Sequence, residues 1–71
     1  MALNLTRLLY EAWSEAPEGS VVLRIHLFGI KYAEDLRGMS LALLVDEAKV
    51  PGPYATEIRK AMRLSEYVTL K

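Results

Sequence analysis

The sequence has 71 residues, 52% hydrophobic and 25% charged, with nine basic side chains balanced by nine acidic ones and a mean hydropathy of +0.13. A chain of that length forms one domain, residues 1–71, whose core hides only about 60% of the surface that the unfolded chain exposes. The absence of cysteine excludes a disulfide framework and thiolate metal ligation, and zero net charge gives no basis for strong nonspecific attraction to nucleic acid.

The opening Met1-Ala2-Leu3-Asn4-Leu5 lacks the basic region and continuous apolar run of a secretory leader, and no stretch approaches the roughly 20 apolar residues of a membrane span. A soluble, cytoplasmic chain is expected. From residue 5 to 16, Leu5, Leu8, Leu9, Ala12, Trp13 and Ala16 recur at helical spacing, with Arg7, Glu11, Ser14 and Glu15 opposite, which predicts an amphipathic helix. Pro17-Glu18-Gly19 interrupts it, and Ser20 is placed to cap a second helix.

That second helix is predicted over residues 21–37. Val21, Val22, Ile25, Phe28, Gly29, Tyr32, Ala33 and Leu36 form one broad apolar stripe, and Leu23, Leu27 and Ile30 a second. Arg24, Lys31 and Asp35 make a polar ridge, with Lys31 and Asp35 spaced for an i,i+4 pair. Gly29 costs about 1 kcal/mol relative to alanine in a helix interior, so it marks a close helix crossing or a bend. A strand over residues 21–30 is the rival reading, because a short apolar run does not distinguish the two by periodicity. Leu23, Leu27 and Ile30, with Leu43, form an apolar surface of the kind that marks association with a second copy or another protein.

Gly38 is expected in the left-handed region after the second helix, and Ser40 as the cap of a third, residues 41–48, whose inner face is Leu41, Leu44, Val45 and Ala48. Pro51-Gly52-Pro53 makes a turn before a fourth helix, residues 54–65, and Val68-Thr69-Leu70 is expected as a short extended tail. The predicted fold is therefore all-α: a compact four-helix single domain containing a helix-turn-helix. Leu44, Val45, Ala48, Val50, Ala55 and Ile58 have the spacing needed to brace the last two helices against each other. Lys49 departs from the pattern, since glycine suits a left-handed residue in that turn.

Charge is unevenly spread. Through Ala48, Arg7, Arg24, Lys31 and Arg37 face Glu11, Glu15, Glu18, Glu34, Asp35, Asp46 and Glu47; from Lys49 onward, Lys49, Arg59, Lys60, Arg63 and Lys71 face only Glu57 and Glu66. On the fourth helix Tyr54, Ala55, Ile58, Ala61, Met62 and Ser65 point inward, while Thr56, Arg59, Lys60 and Arg63 point outward. Such a face suits phosphates or guanine edges of double-stranded DNA, with Thr56 as a further hydrogen-bond donor that positions the helix together with Gly52 or Tyr54, and with Lys49 and Lys71 extending the basic surface. The same charges also suit an ordinary solvated surface, and Asp46, Glu47 and Glu57 oppose a phosphate backbone.

His26-Leu27-Phe28-Gly29-Ile30-Lys31-Tyr32-Ala33, Tyr54-Ala55-Thr56-Glu57-Ile58 and Leu64-Ser65-Glu66-Tyr67-Val68 resemble helix-turn-helix domains. More specifically, they resemble a family of small bacterial helix-turn-helix-like (HTH-like) domain proteins whose function is uncharacterised, over most of the chain from about Val22 onward. The resemblance implies the fold more directly than the function, since the same helix pair serves DNA and protein contacts.

No enzymatic activity is expected, because no serine has a base and orienting acid at readable spacing and no glycine-rich phosphate cradle exists. The single histidine, His26, is read as a partly buried residue satisfied by a neighbour, and no metal, cofactor or small-molecule substrate is expected. Tyr10, Trp13, Phe28 and Tyr32 are read as core rather than as a base-stacking platform, and Tyr67 as the most exposed aromatic. Two functions remain: a DNA-binding regulator whose dimer supplies a second half-site, and a protein-interaction adaptor of the same fold that leaves DNA alone.

Overall fold

In a computed structural model describing residues 4–68, the helical expectation holds and the rival strand does not form. The elements are α1 (Leu5–Ser14), α2 (Val21–Lys31), α3 (Ala33–Leu36), α4 (Leu41–Glu47) and α5 (Tyr54–Leu64). Residues Thr69, Leu70 and Lys71, which carry most of the expected extended tail and one expected basic residue, lie outside the described part, as do Met1, Ala2 and Leu3.

The helix starts follow local chemistry, with one exception. Asn4 caps α1, its Oδ1 accepting from the Arg7 backbone N–H at 3.0 Å, and Ser40 caps α4 by accepting from the Leu43 N–H at 3.2 Å. Ser20 precedes α2 without a side-chain cap bond. The chain instead enters α2 through a turn in which the Ser20 N–H donates to the Pro17 carbonyl at 2.9 Å, with Gly19 at φ +83°.

The single helix expected over residues 21–37 is divided at Tyr32, which leaves the helical region at φ −108°, ψ 20°, and a fourth predicted helix becomes a fifth observed one. The predicted Lys31–Asp35 pair straddles this break and does not form among the described residues; the Lys31 ammonium lies 5.4 Å from the centre of the Tyr32 ring instead. The apolar stripe runs through the break undisturbed, with Ala33 and Leu36 buried as Ile25 and Phe28 are. After α3, Arg37 is extended (φ −61°, ψ 128°), Gly38 is left-handed (φ +85°), and the Met39 N–H donates to the Leu36 carbonyl. That is a type II turn, which demands a residue tolerating positive φ at its third position.

Leu9, Ile25, Leu36 and Ile58 are fully buried at the centre of the core, surrounded by Phe28, Leu41, Leu44, Val45, Ala48 and Val50. α4 and α5 form the helix-turn-helix, with every member of the predicted bracing set buried or half-buried. The connection spans residues 48–53, longer than the roughly three- to four-residue turn of the DNA-reading motif. It opens with a Schellman ending of α4. The Val50 N–H donates to the Val45 carbonyl at 2.9 Å and the Lys49 N–H to the Asp46 carbonyl at 3.1 Å, with Lys49 left-handed at φ +60°. A side chain there costs about 1–2 kcal/mol.

α5 packs more extensively on α2 than on its partner α4. Gly29 makes this approach possible: a Cβ there would stand 2.5 Å from the Ala61 Cβ and 3.0 Å from the Ile58 carbonyl oxygen. The expected close crossing is therefore found.

Gly29 and Lys49 make opposite stability predictions. Gly29→Ala gains about 1 kcal/mol of helix propensity but meets backbone as well as side chain, and overpacking of that kind costs about 1–3 kcal/mol or more. The variant is expected to melt lower, at about 4–8 °C per kcal/mol for a domain of this size. A circular-dichroism melt at or above the wild-type temperature would show that the crossing relaxes freely. Lys49→Gly is expected to raise stability in urea titration by about 1 kcal/mol, because it releases the left-handed strain at some cost in unfolded-chain entropy.

Candidate nucleic-acid interface

The geometry of α5 is set by what its inner arc must bury. Ile58 and Ala61 are buried, and Tyr54, Ala55, Met62 and Ser65 half-buried, so the rotation of the helix about its axis is fixed. Thr56, Arg59, Lys60 and Arg63 are then exposed together along the outer arc, as their spacing of three and four residues requires. Arg59 and Arg63 have no ion-pair partner among the described residues, whereas Lys60 reaches Glu57 at 3.5 Å.

The other predicted residues are scattered by role. Tyr54 packs against the core, and Gly52 is exposed in the turn with open space where a Cβ would stand. Lys49 is exposed at the α4 end of the same connection. Asp46 and Glu47 are exposed on α4.

Glu57, the acid in the middle of α5, does not stand on the outer arc. The His26 Nε2–H of α2 donates to Glu57 Oε1 at 2.8 Å, with both side chains about 30% exposed. This is the neighbour expected to satisfy His26. The bond from His26, reinforced by the nearby Lys60 ammonium, holds the Glu57 carboxyl below its ordinary value of 4.5. A charge that counted against phosphate binding in the sequence is thus turned toward α2 and largely answered there.

The side of α5 opposite Glu57 carries a residue that sequence reasoning placed elsewhere. Arg37, from the turn after α3, lines a cleft with Arg59, Arg63, Met62, Ala33 and Glu66. No local signal announces this. Arg37 lies far from α5 in sequence and reads there as the polar end of a long second helix.

The residues read as an apolar surface differ in exposure. Leu23 is 58% and Leu27 38% exposed, and Leu43 56%, with Ile30 half-buried. Between α1 and α2 lies an open groove of about 470 Å³, in which Leu8, Ala12, Leu27 and Phe28 are flanked by Glu11 and Glu15 from α1 and by Arg24 and Lys31 from α2. Of the aromatics read as core, Phe28 is buried, and Trp13 and Tyr32 are half-buried against the core, but Tyr10 is 46% exposed. Tyr67 is the most exposed, at 85%. Among the described residues no cluster of three or more His, Asp or Glu is arranged to hold a metal ion, and no helix is long and apolar enough to cross a membrane.

The His26–Glu57 bond makes a pH prediction. A carboxyl whose folded pKa lies below its unfolded value contributes stability that is present above the unfolded pKa and disappears as pH falls through the folded one. Stability is therefore expected to fall as the solution is acidified below about pH 4.5, and Glu57→Gln is expected to flatten that part of the curve while lowering stability slightly at pH 7. Urea midpoints measured from pH 7 to pH 3 check this. Parallel wild-type and variant curves would remove Glu57 from the acid response.

Among curated proteins and among solved structures none matches this chain. The pattern of a family described as the HTH-like domain, however, matches residues 1–71, in accord with the bracing of α4 on α5, and the chain belongs to that family.

Proposed function

We propose that this chain is one non-catalytic helix-turn-helix module that binds double-stranded DNA and serves as a cytoplasmic transcriptional regulator, acting as a dimer. α5 enters the major groove. Arg59, Lys60 and Arg63 hold phosphates or reach guanine edges, Thr56 with Gly52 or Tyr54 positions the helix, and Lys49 extends the basic surface. The observation that carries the reading is the segregation on α5: the cations share the outer arc, while Glu57 is drawn aside to His26. Because the whole molecule is neutral, binding depends on this local face and is steeply weakened by salt.

A second reading, in which the fold is an adaptor that does not bind DNA, is favoured by the exposure of Leu23 and Leu27 beside the α1–α2 groove. In that reading the α2 surface binds a protein partner or a second copy of this chain. The groove's two walls are oppositely charged, Glu11 and Glu15 against Arg24 and Lys31, and a two-fold contact sets each wall against its opposite. Leu23, Leu27 and Ile30 supply the apolar contact.

One titration separates the readings. Labelled random-sequence duplex is added to the full chain at several salt concentrations, with the mass of the free protein recorded in the same solutions. DNA binding whose logarithm falls linearly with log salt is expected. Changing both Arg59 and Arg63 to alanine should make the slope shallower by about 0.9 per lost phosphate contact without altering the melting temperature appreciably. No binding by a stable dimer even at low salt would overturn the DNA reading in favour of the adaptor, and unchanged binding by the double variant would take those arginines out of the interface.

A further inference from the structure

The cleft beside α5 is lined by three arginines, from two elements far apart in sequence, together with Ala33 and Met62. Arg59 and Arg63 come from the outer arc of α5 and Arg37 from the type II turn after α3; Ala33, which is buried, and Met62, which is half-buried, complete the apolar part of the lining. Two acids temper the charge. The Arg37 Nη2–H donates to Glu34 Oε1 at 3.1 Å, and Glu66 lies at the edge of the cleft. With these counted, the site retains a net positive charge. Its volume of about 190 Å³ is several times the roughly 30 Å³ that a water molecule occupies in the liquid, enough for a four-oxygen anion.

We propose that this cleft seats a single phosphate of the DNA backbone, with Arg37 as a third arm that closes from α3 onto the phosphate held by Arg59 and Arg63. The proposal rests on the DNA reading and deepens it. Guanidinium presents its donors in a planar fork that matches phosphate oxygens two at a time, and three such forks around one opening repel one another until an anion neutralises them. The apolar part of the lining, Ala33 and Met62, limits screening by water. A contact of this kind fixes the position of α5 along the duplex and carries no sequence information. Glu34 competes with the phosphate for Arg37, so the pair acts as a built-in brake on affinity.

The test uses the full chain, random-sequence duplexes of two unrelated compositions, and the variants Arg37→Gln, Arg37→Lys and Glu34→Gln. Arg37→Gln is expected to weaken binding about three- to tenfold, equally on both duplexes, and to reduce the salt slope by about 0.9, one phosphate contact. Arg37→Lys keeps the slope but not the full affinity, and Glu34→Gln binds more tightly than wild type. The Arg37 side chain is two-thirds exposed, so these changes leave the melting temperature near that of wild type. Wild-type binding with an unchanged slope for Arg37→Gln would overturn the phosphate seat while the DNA reading stands. No duplex binding by wild type would overturn both. A parallel titration with inorganic phosphate, followed through the arginine side-chain NMR signals, distinguishes the source: a response to phosphate without any response to duplex would assign the cleft to a free phosphate and overturn the backbone contact.

Discussion

The close crossing of α2 over α5 at Gly29 is the constraint on which the rest of the molecule depends. With no side chain at that point, Ala61 and the Ile58 backbone approach α2 directly, and Ile25, Phe28 and Ile58 close around the contact as one core. A helix-turn-helix alone would leave α5 resting on a short α4 of seven residues. Here the longer α2 holds it from behind. That hold fixes the rotation of α5, and the rotation decides which of its residues meet solvent.

Everything chemical on α5 then depends on rotation. On a helix turning about 100° per residue, Ile58 and Ala61 face α2, Glu57 lies at one edge of the contact, and Arg59 and Arg63 lie toward the other. His26, three residues before Gly29, meets Glu57 at the first edge, and Arg37 meets the arginines at the second. A chain of zero net charge thereby presents a locally basic face without an excess of basic residues. Composition gives the sum of the charges, and the crossing at Gly29 gives their distribution.

Much of this was readable in the sequence because it is written locally. Apolar spacing located α1, α4 and α5 to within a residue or two, Ser40 announced its cap, Gly38 its positive φ, and the outer arc of α5 came from the helical period alone. Gly29 was legible as a close approach because a helix interior tolerates glycine poorly unless backbone or side chain from elsewhere needs the space. The break at Tyr32 was not legible: no proline or glycine marks it and the apolar stripe continues through it. Nor was the lack of a side-chain cap at Ser20, where the preceding turn determines how the chain enters α2. The His26–Glu57 bond and the approach of Arg37 to α5 join positions about thirty and more than twenty residues apart, and only tertiary packing brings such positions together.

The same wheel bears on what a dimer through the α2 surface does. Gly29 and Ile25 face α5 and the core, whereas Leu23 and Leu27 lie roughly 120–180° around α2 from them and are exposed. The outer arc of α5 in turn points away from α2. The apolar surface and the basic surface therefore face largely opposite directions on a molecule only 28 × 27 × 25 Å across. Two half-sites on one duplex require the two recognition helices to point the same way, about 34–36 Å apart. A two-fold contact through Leu23, Leu27 and Ile30 turns the two α5 helices away from each other instead. A contact through this surface therefore does not supply the second half-site of the proposed dimer, which needs an interface that sets both α5 helices on one side of a duplex.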